Sequence, residues 1–173
     1  MGIAAALVVA GVVLLIPVRD TSTQLANNDA PTSLATAGIP GLIDFLADEI
    51  SEFKKNAPFD KQGAAHTDLQ QYLNDTGRPT PGELPAELDG LNSLGCVTFN
   101  FKDCDVSMIC FKQDASIYHL LTTGKDTCPK TYEQQPAVYE HDGKSFKTWS
   151  EGEKIFILCT DGAKENLPVA GNH

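Results

Sequence analysis

The sequence predicts an α+β protein: an N-terminal transmembrane helix, then two or three helices packed on an antiparallel sheet of about five strands. Three observations carry this reading. The chain opens on an unbroken apolar run, its next apolar residues recur at helical spacing, and from Cys96 onward they recur at every second position.

The opening run, Gly2 to Val18, holds no charged or polar side chain. At about 1.5 Å per residue it covers about 26 Å, the short end of a spanning helix. A cleaved signal peptide wants a basic leading region, a shorter apolar core and a small-x-small cleavage site. A buried globular helix wants a polar face. The run meets neither description well, so residues 1–19 are read as a transmembrane anchor inserted through residues 2–18. A signal peptide stands as the second reading and a core helix as the third. Gly2, Ala6 and Ala10 form a small-xxx-small stripe of the kind that lets helices approach closely. Arg19, beside Asp20, leaves orientation weakly specified, because no basic residue precedes the run.

Residues 20–38, DTSTQLANNDAPTSLATAG, have almost no bulky apolar side chains and read as a flexible tether. Residues 39–173 then form the extracytoplasmic α+β domain. Ile39, Leu42, Ile43, Leu46, Ile50 and Phe53 mark the inner side of a first helix, with Asp44, Asp48, Glu49 and Glu52 outside. Lys54 and Lys55 close its last turn, where cations favour the helix dipole. A second helix fits Thr67–Leu73, with Thr67-x-x-Gln70 as a capping box. Pro79, Pro81 and Pro85 make the following stretch a connector.

CVTFNFKDCDVSMICF reads as two strands around a turn at Asp103-Cys104, which puts Val97, Phe99 and Phe101 on one side with Val106, Met108 and Cys110. A third strand places Ile117, His119 and Leu121 on the Cys110 face. Residues 124–143 read as a long excursion with one short strand near Ala137–Tyr139. A last hairpin, KSFKTWS and EKIFILCT, turns at Glu151-Gly152. Its continuously apolar IFILC suits a central strand buried on both faces.

The formal charge is −10, with 23 acidic against 13 basic residues. Such a surface repels phosphate backbones, so nucleic acid is not an expected partner. No C-x-x-C, G-x-S-x-G, P-loop or G-x-G-x-x-G occurs. No catalytic set and no cofactor are therefore expected, and the chain is read as a non-enzyme.

The chemistry-bearing residues are the five cysteines and His119. The hairpin register puts Cys110 and His119 side by side, and Cys159 joins them if its strand is adjacent. Two thiols and an imidazole would suit zinc or copper(I), although the sequence spacing matches no zinc motif. The competing reading is that all three are packing residues. Cys104, in the expected exposed turn, and Cys128, in the excursion, are the most available thiols. Pairing or redox cycling between them would let the domain respond to oxidants.

Three stretches, ELPAELDGLNSLGCVTFNF, VSMICF with YHLL, and FKTWSEGEKIFILCTDGAKENL, carry a resemblance. In their order, and in the places of Leu84-Pro85, Gly95, Trp149 and Gly152, the chain resembles the extracytoplasmic region of bacterial membrane-anchored anti-sigma factors. The resemblance covers roughly residues 83–167. It implies a single-pass protein of the cell membrane, a sensory or regulatory outer domain, and a protein partner in a sigma-factor signalling system. It also implies a cytoplasmic helical domain before the span, sometimes with a His-x-x-x-Cys-x-x-Cys zinc motif. The sequence printed contains neither, so no sigma-binding residue is carried over. The alternatives are a secreted binding module, and a thiol- or metal-dependent redox sensor using Cys110 and His119.

Overall fold

The computed structural model describes residues 34–56, 58–101, 103–126, 128 and 137–168. The expected anchor (1–19) and the tether as far as residue 33 lie outside the described residues. Among those described, no helix is long and apolar enough to cross a membrane.

The first helix, α1 (Leu34–Asn56), starts inside the stretch read as tether and runs beyond the apolar spacing that announced it. The tether expectation is corrected for residues 34–38: LATAG has little to bury, but it holds no strong helix breaker before Gly38 and continues a helix anchored further on. Leu42, Ile43, Leu46, Ala47 and Ile50 are buried and Phe53 is partly so, as the 3.6-residue spacing requires. Residue pair Lys61–Gln62 forms a short strand, β1.

Helix α2 (His66–Asp75) buries Leu69 and Leu73. Its N-cap is Ala65 with no side-chain cap, so the expected capping box is not formed and Thr67 is the second residue of the helix. The chain leaves α2 through Gly77, whose φ of 68° is a left-handed conformation that glycine adopts without steric cost.

Six strands longer than β1 follow: β2 (Asn92–Phe101), β3 (Cys104–Gln113), β4 (Ser116–Gly124), β5 (Ala137–His141), β6 (Lys144–Glu151) and β7 (Lys154–Asp161). All pair antiparallel in one sheet, in the order β1-β2-β3-β4-β7-β6-β5. The architecture is thus α+β, with seven strands rather than about five. The surplus has physical causes. At two residues β1 is too short to show a period, and β5 is fixed by an Asp142-Gly143 turn. Both turn residues have positive φ, 47° and 68°, the geometry that matches the twist of a two-residue hairpin.

Because β7 returns between β4 and β6, its residues Ile155–Thr160 are buried on both faces. Strand alternation splits the core in two. On one face α1 covers Val97, Val106, Met108, Cys110, Leu121, Phe146, Ile155, Ile157 and Cys159. On the other, α2, the connector and the C-terminal segment cover Cys96, Ile109, Phe111, Tyr118, Leu120, Phe156 and Leu158. Covered on both sides, the sheet buries most residues of its central strands β3, β4 and β7. This is what positions the site.

Gly95 explains how the α1 face closes at the β2 edge. A Cβ there would sit 2.5 Å from the Phe59 ring and 2.7 Å from the Lys61 carbonyl, so only glycine lets that ring lie against the strand. Phe59 in turn meets Phe53 of α1 edge to face, centroids 5.0 Å apart. Beyond β1, Asp60 accepts hydrogen bonds from the Thr98 amide (2.8 Å) and hydroxyl (2.9 Å), which blunts the exposed edge of β2.

Candidate functional site

The register turns the sequence expectation into a row of side chains. Cys110 lies opposite His119 across β3 and β4, and His119 lies opposite Cys159 across β4 and β7. All three project to the α1 face. Their neighbours along the strands, Met108, Leu121 and Ile157, are apolar, so the row is sealed beneath Leu42, Leu46 and Ile50. His119 is 2% exposed, Cys110 1% and Cys159 0%.

Cys110 Sγ is 3.1 Å from His119 Nδ1. The other ring nitrogen, Nε2, is buried with no hydrogen-bond partner among the described residues. Burial drives the imidazole pKa down to about 3, and the nearby Lys54 and Lys144 charges push the same way, outweighing Asp161. Burial likewise pushes the Cys110 and Cys159 thiols up to about 12, against the pull of Lys54. The pair is therefore a neutral thiol against a neutral imidazole at any ordinary pH. A thiol held protonated in apolar surroundings is a poor nucleophile, so the pair as placed is not an activated one.

Nor do the three groups converge. Cys110 and Cys159 sit on next-nearest strands, about 9–10 Å apart at the backbone by normal sheet spacing. A zinc ion bound at about 2.3 Å from each sulfur needs the two much closer. Among the described residues no group of three His, Cys, Asp or Glu could hold a metal ion.

The other two thiols behave differently from expectation. Cys104 is not in an exposed turn: β2 ends at Phe101, which pairs with Cys104 as the first residue of β3, so that side chain points inward. Cys104 and Cys128 are joined as a disulfide and are 1% and 2% exposed. Thr123 Oγ1 lies 3.4 Å from Cys128 Sγ and donates to the Asp105 carbonyl at 2.8 Å, so the bridge is embedded at the start of β3. Cys96 remains a free, buried thiol on the opposite face, its pKa raised to about 11 by burial and by Asp60.

Compared with known protein families, curated proteins and solved structures, the chain matches none.

Two clefts on the face opposite α1, one polar and one mixed, had no sequence signal at all. The larger, of about 410 Å³, lies between the connector, the β3–β4 turn and the segment around the 3-10 turn Lys164–Asn166. The smaller, about 120 Å³, lies beside Trp149, which stacks on Phe156 with centroids 5.2 Å apart. Lys147 joins the two regions. Its Nζ is 2.8 Å from Glu87 Oε1 and 5.7 Å from the Trp149 ring centre. Burial pushes the Glu87 carboxyl up, but the Lys147 hydrogen bond and charge prevail and its pKa is lowered. These residues come from four separate stretches of chain, and no local pattern links them.

Proposed function

We propose that the chain is a membrane-anchored, extracytoplasmic sensory or regulatory domain, similar to the outer half of an anti-sigma factor. The observation that carries the reading is the Cys104–Cys128 disulfide, which suits an oxidising compartment. It stands beside the apolar run at residues 2–18, which suits a lipid bilayer. Helix α1 gives the arrangement a direction. It is the first described element after that run, and its inner side forms the lid on the α1-face core. Any change under α1 would alter the helix nearest in sequence to the membrane segment.

The test is topological. A C-terminal alkaline phosphatase fusion should be active, and carbonate washing should leave the chain with the membrane. An inactive fusion, or release of full-length chain into the soluble fraction, would defeat the reading. The sigma-factor arm is tested separately, by reading the DNA upstream of the Met1 codon. An open frame running into a helical segment supports it, while an immediate in-frame stop removes that arm and leaves the anchored sensor.

A further inference from the structure

We propose that the 410 Å³ cleft is a binding site for a neutral saccharide of one or two rings. It lies across the sheet from the Cys110–His119 pair and stands or falls independently of the membrane reading. Its size falls within the ~300–1,000 Å³ of small-molecule sites, yet its lining is not the mostly apolar one such sites carry.

Glu87, Gln113, Glu165 and Asn166 supply planar carboxylate and amide groups, and Ser116 adds a hydroxyl. A sugar presents adjacent hydroxyl pairs, each both donor and acceptor, and planar two-atom groups meet such pairs two bonds at a time. Tyr118 and Leu167 floor the same cleft but are only 7% and 9% exposed, so recognition rests on the polar groups around them. Charge narrows the class further. Lys147, just outside the lining, pairs with Glu87, which leaves the Glu165 carboxylate and the chain's charge of −10 to disfavour phosphorylated or acidic ligands.

Part of the cleft is held in place before any ligand arrives. The Glu87 side chain is 12% exposed and its carboxylate is fixed by Lys147 at 2.8 Å. The Asn166 amide donates to the Asp161 carbonyl at 3.2 Å, which sets the plane of the group. Sites whose polar groups are already oriented lose less freedom on binding.

The test uses the full chain, isotopically labelled, in a zwitterionic detergent without a sugar headgroup. Glucose, galactose, N-acetylglucosamine, maltose and chitobiose are titrated in turn to tens of millimolar, followed by calcium chloride. At least one sugar should shift the amide signals of Gln113, Ser116 and Asn166 saturably. Gln113→Ala and Glu165→Gln, both at exposed positions, should each weaken that binding about tenfold while the remaining signals stay in place. The proposal is overturned if no sugar moves those signals, if both variants bind as the parent does, or if calcium alone moves them.

Discussion

Cys110 Sγ lies 3.1 Å from His119 Nδ1, on directly opposed residues of β3 and β4 and beneath α1. The contact satisfies one ring nitrogen and leaves the other, Nε2, without a partner. Protonating the ring would place a charge in the apolar layer, where burial and the Lys54 and Lys144 charges outweigh Asp161. The imidazole is therefore kept neutral by its surroundings, and folding is coupled to pH.

That coupling has a definite sign. The folded pKa, about 3, lies below the ordinary value of 6.5, so the unfolded chain binds the extra proton first. The contribution is fully present above pH 6.5 and is lost as pH falls through the window from 6.5 to 3. By pH 5 the loss should be about 2 kcal/mol. Urea unfolding followed by the fluorescence of Trp149, the single tryptophan, should show it between pH 7 and pH 5. His119→Leu should flatten that slope, and an equal slope in both proteins would refute the argument.

The buried thiols give the opposite sign at the alkaline end. Cys110 and Cys159, near 12, and Cys96, near 11, are all raised above the ordinary 9.0. Their contribution is present below pH 9 and falls as the unfolded chain ionises above it. The native protein should accordingly resist an aromatic disulfide reagent at pH 8. In denaturant without reductant, three thiols should react, those of Cys96, Cys110 and Cys159. Five reacting thiols would mean that Cys104 and Cys128 are not bridged.

Cys104→Ser should be costly even though it removes few atoms. The bridge spans a sequence separation of 24 residues. Closing a loop of that length in the unfolded chain corresponds to about 3–4 kcal/mol in the chain-entropy account. Adding reductant to the parent protein should lower its unfolding free energy in urea by a similar amount, and should leave Cys104→Ser unchanged. A parent insensitive to reductant would count against the bridge.

Gly95→Ala tests how the α1 face closes over β2. The new methyl would fall 2.5 Å from the Phe59 ring and 2.7 Å from a carbonyl, neither of which can simply step aside. A loss of about 1–3 kcal/mol is expected, in the range for overpacked cores. Gly143→Ala should also be unfavourable, but through its positive φ of 68° alone, since nothing lies near the added atom. If Gly95→Ala cost no more than a surface substitution, Phe59 could not be packed where it is described.

Much of the fold was readable because strands and helices write their periods into the chain. The faces of β2, β3 and β4 follow from alternation, so the pairing of Cys110 with His119 could be anticipated from the residues between them. The position of β7 between β4 and β6 was foreshadowed by its unbroken IFILC. Other features gave weaker signals or none. Asp142-Gly143 is a two-residue turn signal inside a stretch that otherwise reads as irregular, and β5 was accordingly recognised only in part. A turn at Asp103-Cys104 pairs Phe101 with Val106, whereas the sheet pairs Phe101 with Cys104; that slide of two residues keeps every face and adds Cys104 to the inner one.

By itself the sequence determined the α+β class, the apolar opening run and the strip of α1 that faces the sheet. Each depends on side-chain order within a dozen or so neighbours, and hydrophobic burial reads that order directly. Only the tertiary structure decided that Cys104 meets Cys128, that His119 keeps an unpartnered nitrogen, and that Glu87 and Glu165 share a cleft with Gln113. Those relations join residues far apart in the chain, and the packing of the sheet brings them within reach of one another.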